Sequence, residues 1–287
     1  MVNSQLKVWV TGARPRTLSA AVAPVLVASA LAGSNFDFLP ALLALIVSLA
    51  LQIGVNYAND YSDGVRGTDD ERVGPVRITA GGLASAHVVK RAALIAFAIA
   101  GVAGFVLALL SSWWLIPVGA ASIAAAWGYT GGEKPYGYLG LGELFVFVFF
   151  GLVATVGSYY VQTGEISAQS ILAGCIMGSL ASAILVINNI RDRQQDALVG
   201  KNTLAVRIGD RGSRALFTTF VIAPYLLSLG FLNYWVALTL VTLPVSIKLL
   251  RSLWSGLQGR ELIALLGQTG RLQLLFSLTL TIAVIIG

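Results

Sequence analysis

The sequence predicts an all-α integral membrane protein of about nine transmembrane helices, built as two related four-helix units plus a ninth helix in one polytopic domain, residues 1–287. Three observations predict it: an apolar composition, apolar runs of bilayer length, and basic residues confined to alternate connections. Hydrophobic residues make up 56% of the chain, charged residues only 11%, and the mean hydropathy is +0.80. Soluble domains carry about 25% charged residues, so this chain has too little polar surface to cover a globule in water. A disulfide scaffold is excluded because Cys175 is the only cysteine.

The runs follow in order. Thr17 to Ala32 comes after Lys7, Arg14 and Arg16 and is not closed by a small-residue cleavage site, so it reads as a retained span. Phe38 to Tyr57 lies beyond the short connection Gly33 to Asp37, and Ala92 to Leu110 follows a long charged segment. Trp114 to Tyr129 opens on a tryptophan pair, and Leu144 to Val161 is rich in phenylalanine. Ile171 to Ile190 runs into a second charged segment. Ala215 to Leu232, Trp235 to Leu250 and Leu272 to Ile286 complete the set. Several approach or exceed the roughly 18 to 20 residues that cross a bilayer as helix, and the first and last are short. Trp113, Trp114, Tyr159, Tyr160, Tyr234 and Trp235 sit beside the short connections, as interfacial aromatics do.

The 19 lysines and arginines all fall on one side of this arrangement. They occupy the amino terminus and the second, fourth, sixth and eighth connections. By the positive-inside rule that side is cytoplasmic, which puts the amino terminus inside and, with nine spans, the carboxy terminus outside. All acidic residues except Asp37 and Glu165 share that side. The net charge of +6 and the pI near 9.6 therefore reflect membrane orientation, and no nucleic-acid partner is expected.

The chemistry concentrates in two charged segments, read as Asp-rich cytoplasmic loops at about 59–87 and 191–213. The first contains Asn59, Asp60, Asp63, Arg66 and Asp69, with Asn56 just before it; the second contains Arg191, Asp192, Asp196 and Lys201, with Asn188 just before it. Both share Asn-x-x-x-Asp, as Asn56/Asp60 and Asn188/Asp192, at matching places in the two units. A site between internal repeats is a common membrane arrangement. On a helix, residues i and i+4 share a face, so Asn56 lies beside Asp60, and Asp192 beside both Asn188 and Asp196. Stacked carboxylates near hydrocarbon repel one another unless a cation lies between them. Hard oxygen ligands without a histidine or cysteine cluster favour Mg²⁺, which takes its remaining ligands from water and phosphate. Arg66, Arg77, Lys134, Arg191 and Lys201 are the cations available to that phosphate.

These residues resemble the UbiA superfamily of intramembrane aromatic prenyltransferases, and within it the 1,4-dihydroxy-2-naphthoate polyprenyltransferases. The resemblance rests on Gly12-Ala-Arg14-Pro15-Arg16-Thr17, Asn56 to Asp69, Gly74-Pro75-Val-Arg77 with Gly81-Gly82, Tyr129-Thr130 with Pro135-Tyr136, Gly140-Leu-Gly142-Glu143, and Asn188 to Arg207. The first motif departs from the commoner Asn-x-x-x-Asp-x-x-x-Asp, because Gly64 stands at its last position. Asp60 is thereby the securer ligand, with Asp63 or Asp69 as its partner.

The resemblance implies transfer of a polyprenyl group from polyprenyl diphosphate to 1,4-dihydroxy-2-naphthoate with loss of CO₂, giving demethylmenaquinone, in the bacterial cytoplasmic membrane. Asp60, Asp63, Asp192 and Asp196, with Asp69, are the expected Mg²⁺ ligands and catalytic carboxylates, and Tyr129 faces the allylic cation or the acceptor. Asn56, Asn59, Arg66, Arg77, Lys134, Asn188, Arg191 and Lys201 are expected at the diphosphate, and Glu143 at the acceptor. Phe145, Phe147, Phe149 and Phe150 read as packing or lipid-facing residues. The rival readings are a family member with another acceptor such as 4-hydroxybenzoate, a phosphatidyl-alcohol transferase, and a cation or lipid transporter. The second lacks that family's remaining motif residues, and the third would place ionisable groups at mid-membrane. No local motif encodes prenyl chain length or oligomeric state.

Overall fold

The computed structural model describes residues 2–68, 74 and 76–287, with side chains from residue 5. The described residues form helices, turns and bends, without strands. Helix α1 covers Val2–Ala13, α2 Ser19–Leu31, α3 Phe38–Arg66, α4 Ala86–Leu110 and α5 Leu115–Gly128. Helix α6, Gly142–Val146, passes through a π-helical stretch, Phe147–Val153, into α7, Ala154–Thr163. Then come α8, Ala168–Leu198, α9, Leu204–Ser228, α10, Leu243–Trp254, entered through a 3-10 stretch Tyr234–Thr242, and α11, Leu262–Ile286.

Seven of the helical segments are long and apolar enough to cross a membrane, and α2 and α5 are shorter apolar helices between them. The protein is thus a multi-pass membrane protein, and the spans fall where the apolar runs predict them. Helix α1 has no counterpart among the apolar runs; its Trp9 ring meets that of Tyr57 on α3 edge to face, and the Trp9 carbonyl accepts the Tyr57 hydroxyl at 2.9 Å.

Helices α3 and α8 are built alike. Asp37 caps α3 by accepting the Leu39 amide at 3.0 Å, and Ser167 and Ser170 cap α8 reciprocally. Both continue beyond their apolar cores, to Arg66 and Leu198. Residues 59–66 and 191–198, expected as loop, are therefore the last turns of membrane helices. The physical reason is that their polar side chains find partners inside the protein, so the helix need not end where hydrocarbon does.

Helix α8 is the central strut. It packs on α9, α11, α2 and the π-helical stretch, and 78% of its apolar window is buried. Its Ile176, Met177, Leu180 and Ile187 join Phe217, Leu249, Leu272 and Phe276 in the larger core. Helix α3 packs mainly on α4, with Tyr57, Ile78, Val89 and Phe97 in a second cluster. Between these two halves lies a cavity.

Candidate active site

The cavity has a volume of about 600 Å³ and is lined by residues from both motif helices. One end is polar. Asn56, Asn59, Asp60 and Asp63 come from α3; Asn188, Arg191, Asp192 and Asp196 from α8; Arg77 and Lys201 from the segments that follow. Arg14 and Arg16, beside the start of α2, also line it, and an apolar and aromatic wall comes largely from α5, α6, the π-helical stretch and α7.

Asp63 is the hub of the polar end. Its carboxylate is buried, accepts the Tyr138 hydroxyl at 2.8 Å, and lies 3.1 Å from Lys201 Nζ and 3.9 Å from Arg77 Nη2. The Lys201 ammonium also stands 4.8 Å from the centroid of the Tyr138 ring. Burial by itself lowers the pKa of Lys201, but Asp63, Tyr138 and Asp196 outweigh it and hold the ammonium above its usual value. Burial, then the Asp63 carboxylate, push the Tyr138 phenol upward, so it stays a hydrogen-bond donor.

On α8, Arg191 grips Asp192 with two hydrogen bonds of 2.7 and 2.6 Å and donates a third, of 2.7 Å, to Asn188. The two motifs thus present carboxylates already paired with cations across one opening. Asn59 accepts the Thr130 hydroxyl at 2.7 Å. Asn56 donates to the Ala13 carbonyl and to Thr17 at 2.9 and 3.2 Å, and so ties α3 to the corner between α1 and α2. Asp60 differs from Asp63: its two oxygens accept the backbone amides of Ile78 and Thr79.

Arg66, Lys134 and Glu143 do not line the cavity. Arg66 donates to the Thr130 and Gly132 carbonyls and so clamps the turn after α5. Lys134 is exposed on that turn. Glu143 is buried behind Asn189, accepting its amide at 2.9 Å, and Asn189 is the group that faces the cavity. Asp69 lies outside the described residues.

Beneath the polar end, Tyr129, Tyr136, Phe145 and Phe149 form a continuous aromatic wall, with successive ring centroids 5.6, 4.0 and 5.9 Å apart. Phe145, Phe149 and Phe150 therefore line the cavity, where the sequence suggested packing or lipid contact; the π-helical stretch turns this face inward. Tyr136, Tyr138 and Asn189 escaped sequence reasoning. The trace was there: Tyr136 and Tyr138 flank one glycine in a polar turn, and Asn189 adjoins the second motif.

The donor set suits Mg²⁺. Among the described residues no three acidic, histidine or cysteine side chains converge on a closed metal cage. Mg²⁺ needs no such cage, since it binds through one or two carboxylates plus phosphate oxygens and water.

Residues 21–284 match the model of the UbiA prenyltransferase family. The chain is 47% identical over 283 residues to the 1,4-dihydroxy-2-naphthoate octaprenyltransferase of Mycobacterium tuberculosis, covering 97% of each chain. Its fold is similar to that of a UbiA homologue from Aeropyrum pernix, with a TM-score of 0.72 at 17% identity over 93% of this chain and 97% of that one. It is also similar to a UbiA homologue from Archaeoglobus fulgidus bound to GPP and Mg²⁺, with a TM-score of 0.64 at 15% identity over 98% and 100%. A cavity shared by two Asn/Asp motif helices, in a chain matched nearly end to end by that family model, leads to one conclusion: the protein belongs to the UbiA prenyltransferase family.

Proposed function

We propose that the protein transfers a polyprenyl group from polyprenyl diphosphate to 1,4-dihydroxy-2-naphthoate, a step of menaquinone synthesis. The observation that carries this reading is the single cavity with carboxylates and cations at one end and an aromatic wall below. A polyprenyl diphosphate has the same division, a charged head and an apolar tail. The 47% identity to the naphthoate octaprenyltransferase supports the acceptor.

The head binds among Arg77, Arg191 and Lys201, whose charges offset those of the diphosphate. Asp63, Asp192 and Asp196, on opposed helices, would hold Mg²⁺ with it, and Asn59 and Asn188 would supply neutral oxygens. When bound, Mg²⁺ supplies Lewis-acid neutralisation of the departing diphosphate. Breaking the allylic C–O bond leaves positive charge on the first prenyl carbon. Tyr129, Tyr136 and Phe145 face that charge with ring electrons, and the apolar walls exclude water that would otherwise capture it. The naphthoate carbon that bears the carboxylate attacks the prenyl carbon. The carboxylate leaves as CO₂, its bonding pair restores the aromatic ring, and the product is the hydroquinone form of demethylmenaquinone. Asn189, held by Glu143, orients the acceptor.

The charged end is cytoplasmic in this reading, where soluble naphthoate arrives, and the tail lies toward lipid. The test uses purified protein in lipid with Mg²⁺, a polyprenyl diphosphate and the naphthoate. Prenylated product and CO₂ in equal amounts are expected. Product from 4-hydroxybenzoate but none from the naphthoate would reassign the acceptor.

A further inference from the structure

Asp60 looks from sequence like the securest metal ligand of the first motif, and the structure puts it to a different use. We propose that Asp60 is a positioning residue: it fixes the segment 76–84 and thereby holds Arg77 over the polar end of the cavity, leaving Asp63 as the metal and diphosphate carboxylate of α3. This rests on the function proposed above.

Asp60 is 1% exposed, and its Oδ2 and Oδ1 accept the successive amides of Ile78 and Thr79 at 3.0 and 2.8 Å. Hydrogen bonds to an ionised acceptor are among the strongest a protein makes. Two adjacent peptide groups bound by one carboxylate fix the orientation of the backbone as well as its position. The Ile78 side chain is fully buried beside Tyr57 and Phe97, and its carbonyl receives the Leu83 and Ala84 amides at 2.9 and 3.0 Å. Arg77 directly precedes this knot, which sets the root from which its guanidinium reaches toward Asp63.

The neighbouring turn of α3 is shaped for the same segment. A Cβ on Gly64 would lie 2.7 Å from Thr79 Cγ2 and 3.3 Å from the Ala80 nitrogen. A side chain at Gly64 would have to displace Thr79. Asp60 and Gly64, four residues apart, thus face the segment, while Asp63 faces Tyr138 and Lys201. The difference matters for ligation. The partners of Asp63 are side chains that can turn to a phosphate, whereas the partners of Asp60 are backbone amides of a turn anchored by the buried Ile78.

Hydrogen exchange read by mass spectrometry on the full chain in lipid tests this first without any variant. The Ile78 and Thr79 amides should exchange at least a hundredfold more slowly than an open loop; exchange at the open-loop rate overturns the proposal. Asp60→Asn keeps the size but turns an NH₂ group toward an amide. It should accelerate exchange across 77–84 at least tenfold and raise the KM for prenyl diphosphate, while the Mg²⁺ concentration for half-maximal turnover stays within twofold. Asp63→Asn should leave the segment's exchange unchanged and raise the Mg²⁺ requirement tenfold or abolish turnover. A rise in Mg²⁺ requirement in Asp60→Asn equal to that in Asp63→Asn, with the segment still protected, would make Asp60 a ligand and end the proposal. The exchange data need no substrate, so a wild-type protein that prenylates nothing would sink the proposed function and leave the Asp60 tie measurable.

Discussion

Lys201 shows how a single residue can serve a charged site beside a membrane. It is buried, yet Asp63 and its neighbours hold its pKa above the ordinary lysine value, so it stays charged throughout the neutral range. The sign follows: the contribution of a raised lysine is present below its unfolded value, near 10.4, and is lost only as pH climbs through the higher folded value. Lys201→Met should raise the KM for prenyl diphosphate about tenfold, with the ratio to wild type constant between pH 7 and 9. A ratio that collapses toward one across that interval would mean Lys201 is losing its proton there. Gly64 makes the complementary point. Replacing it with aspartate adds a carboxylate one turn beyond Asp60, but the new side chain must displace Thr79 and press on the Ala80 backbone. Overpacking of this kind costs about 1–3 kcal/mol. Gly64→Asp should therefore lower both thermal stability and turnover, and a variant with improved Mg²⁺ affinity would contradict the close approach of that segment.

At the scale of one element, the helix from α6 to α7 carries two glycines with opposite duties. Gly151 meets α8 backbone to backbone: an added Cβ would stand 2.4 Å from Gly178 Cα and 2.7 Å from the Gly174 carbonyl. In a bilayer, lipid tails are as apolar as leucine, so such close approach of small residues is what holds helices together. Gly151→Leu should force the two helices apart and lower the melting temperature in detergent, with activity lost through the fold. Gly157, less than two turns further on, lines the cavity, and nothing lies within 4 Å of its Cβ position; the same holds for Gly119 on α5. Leucine there fills cavity instead of colliding with backbone. Gly157→Leu and Gly119→Leu should keep the melting temperature within a few degrees and turn over a geranyl donor normally, while kcat/KM for an octaprenyl donor falls at least tenfold. Equal loss for both donors would place the tail elsewhere. The sequence marks all three residues merely as glycines among apolar neighbours. Which of them meets backbone and which meets open space depends on the rotation of each helix, and the π-helical stretch resets that rotation in a way no local period records.

For the whole molecule, the sequence was most legible where the bilayer imposes the rule. Span positions and the gathering of charge at one end follow from hydrophobic length and from the cost of burying ions, which act on every residue alike. The pairing of the two motifs was legible from their shared Asn-x-x-x-Asp spacing, and Asp63, Asp192 and Asp196 line one cavity. The local partners were not legible, because Arg66, Glu143 and Asp60 meet carbonyls, a side-chain amide and backbone amides that come from distant parts of the chain. Orientation follows from the same bilayer logic and gives the last prediction. The nine-span reading of the sequence puts all 19 lysines and arginines on one side, so a reversed protein would carry them to the outer face, against the bias that sets topology. Seven long helices and two shorter ones make an odd number of crossings, so the termini should lie on opposite sides. Alkaline phosphatase, which folds only where disulfides form, should be active when fused after Gly287 and inactive when fused to the loop around Lys134. A fluorescent protein that matures in the cytoplasm should give the reverse pattern. Phosphatase activity at the Lys134 loop would turn the diphosphate site outward. Activity at neither position would put both on the same side and require one of the five long helices after residue 134 to enter and leave by the same face.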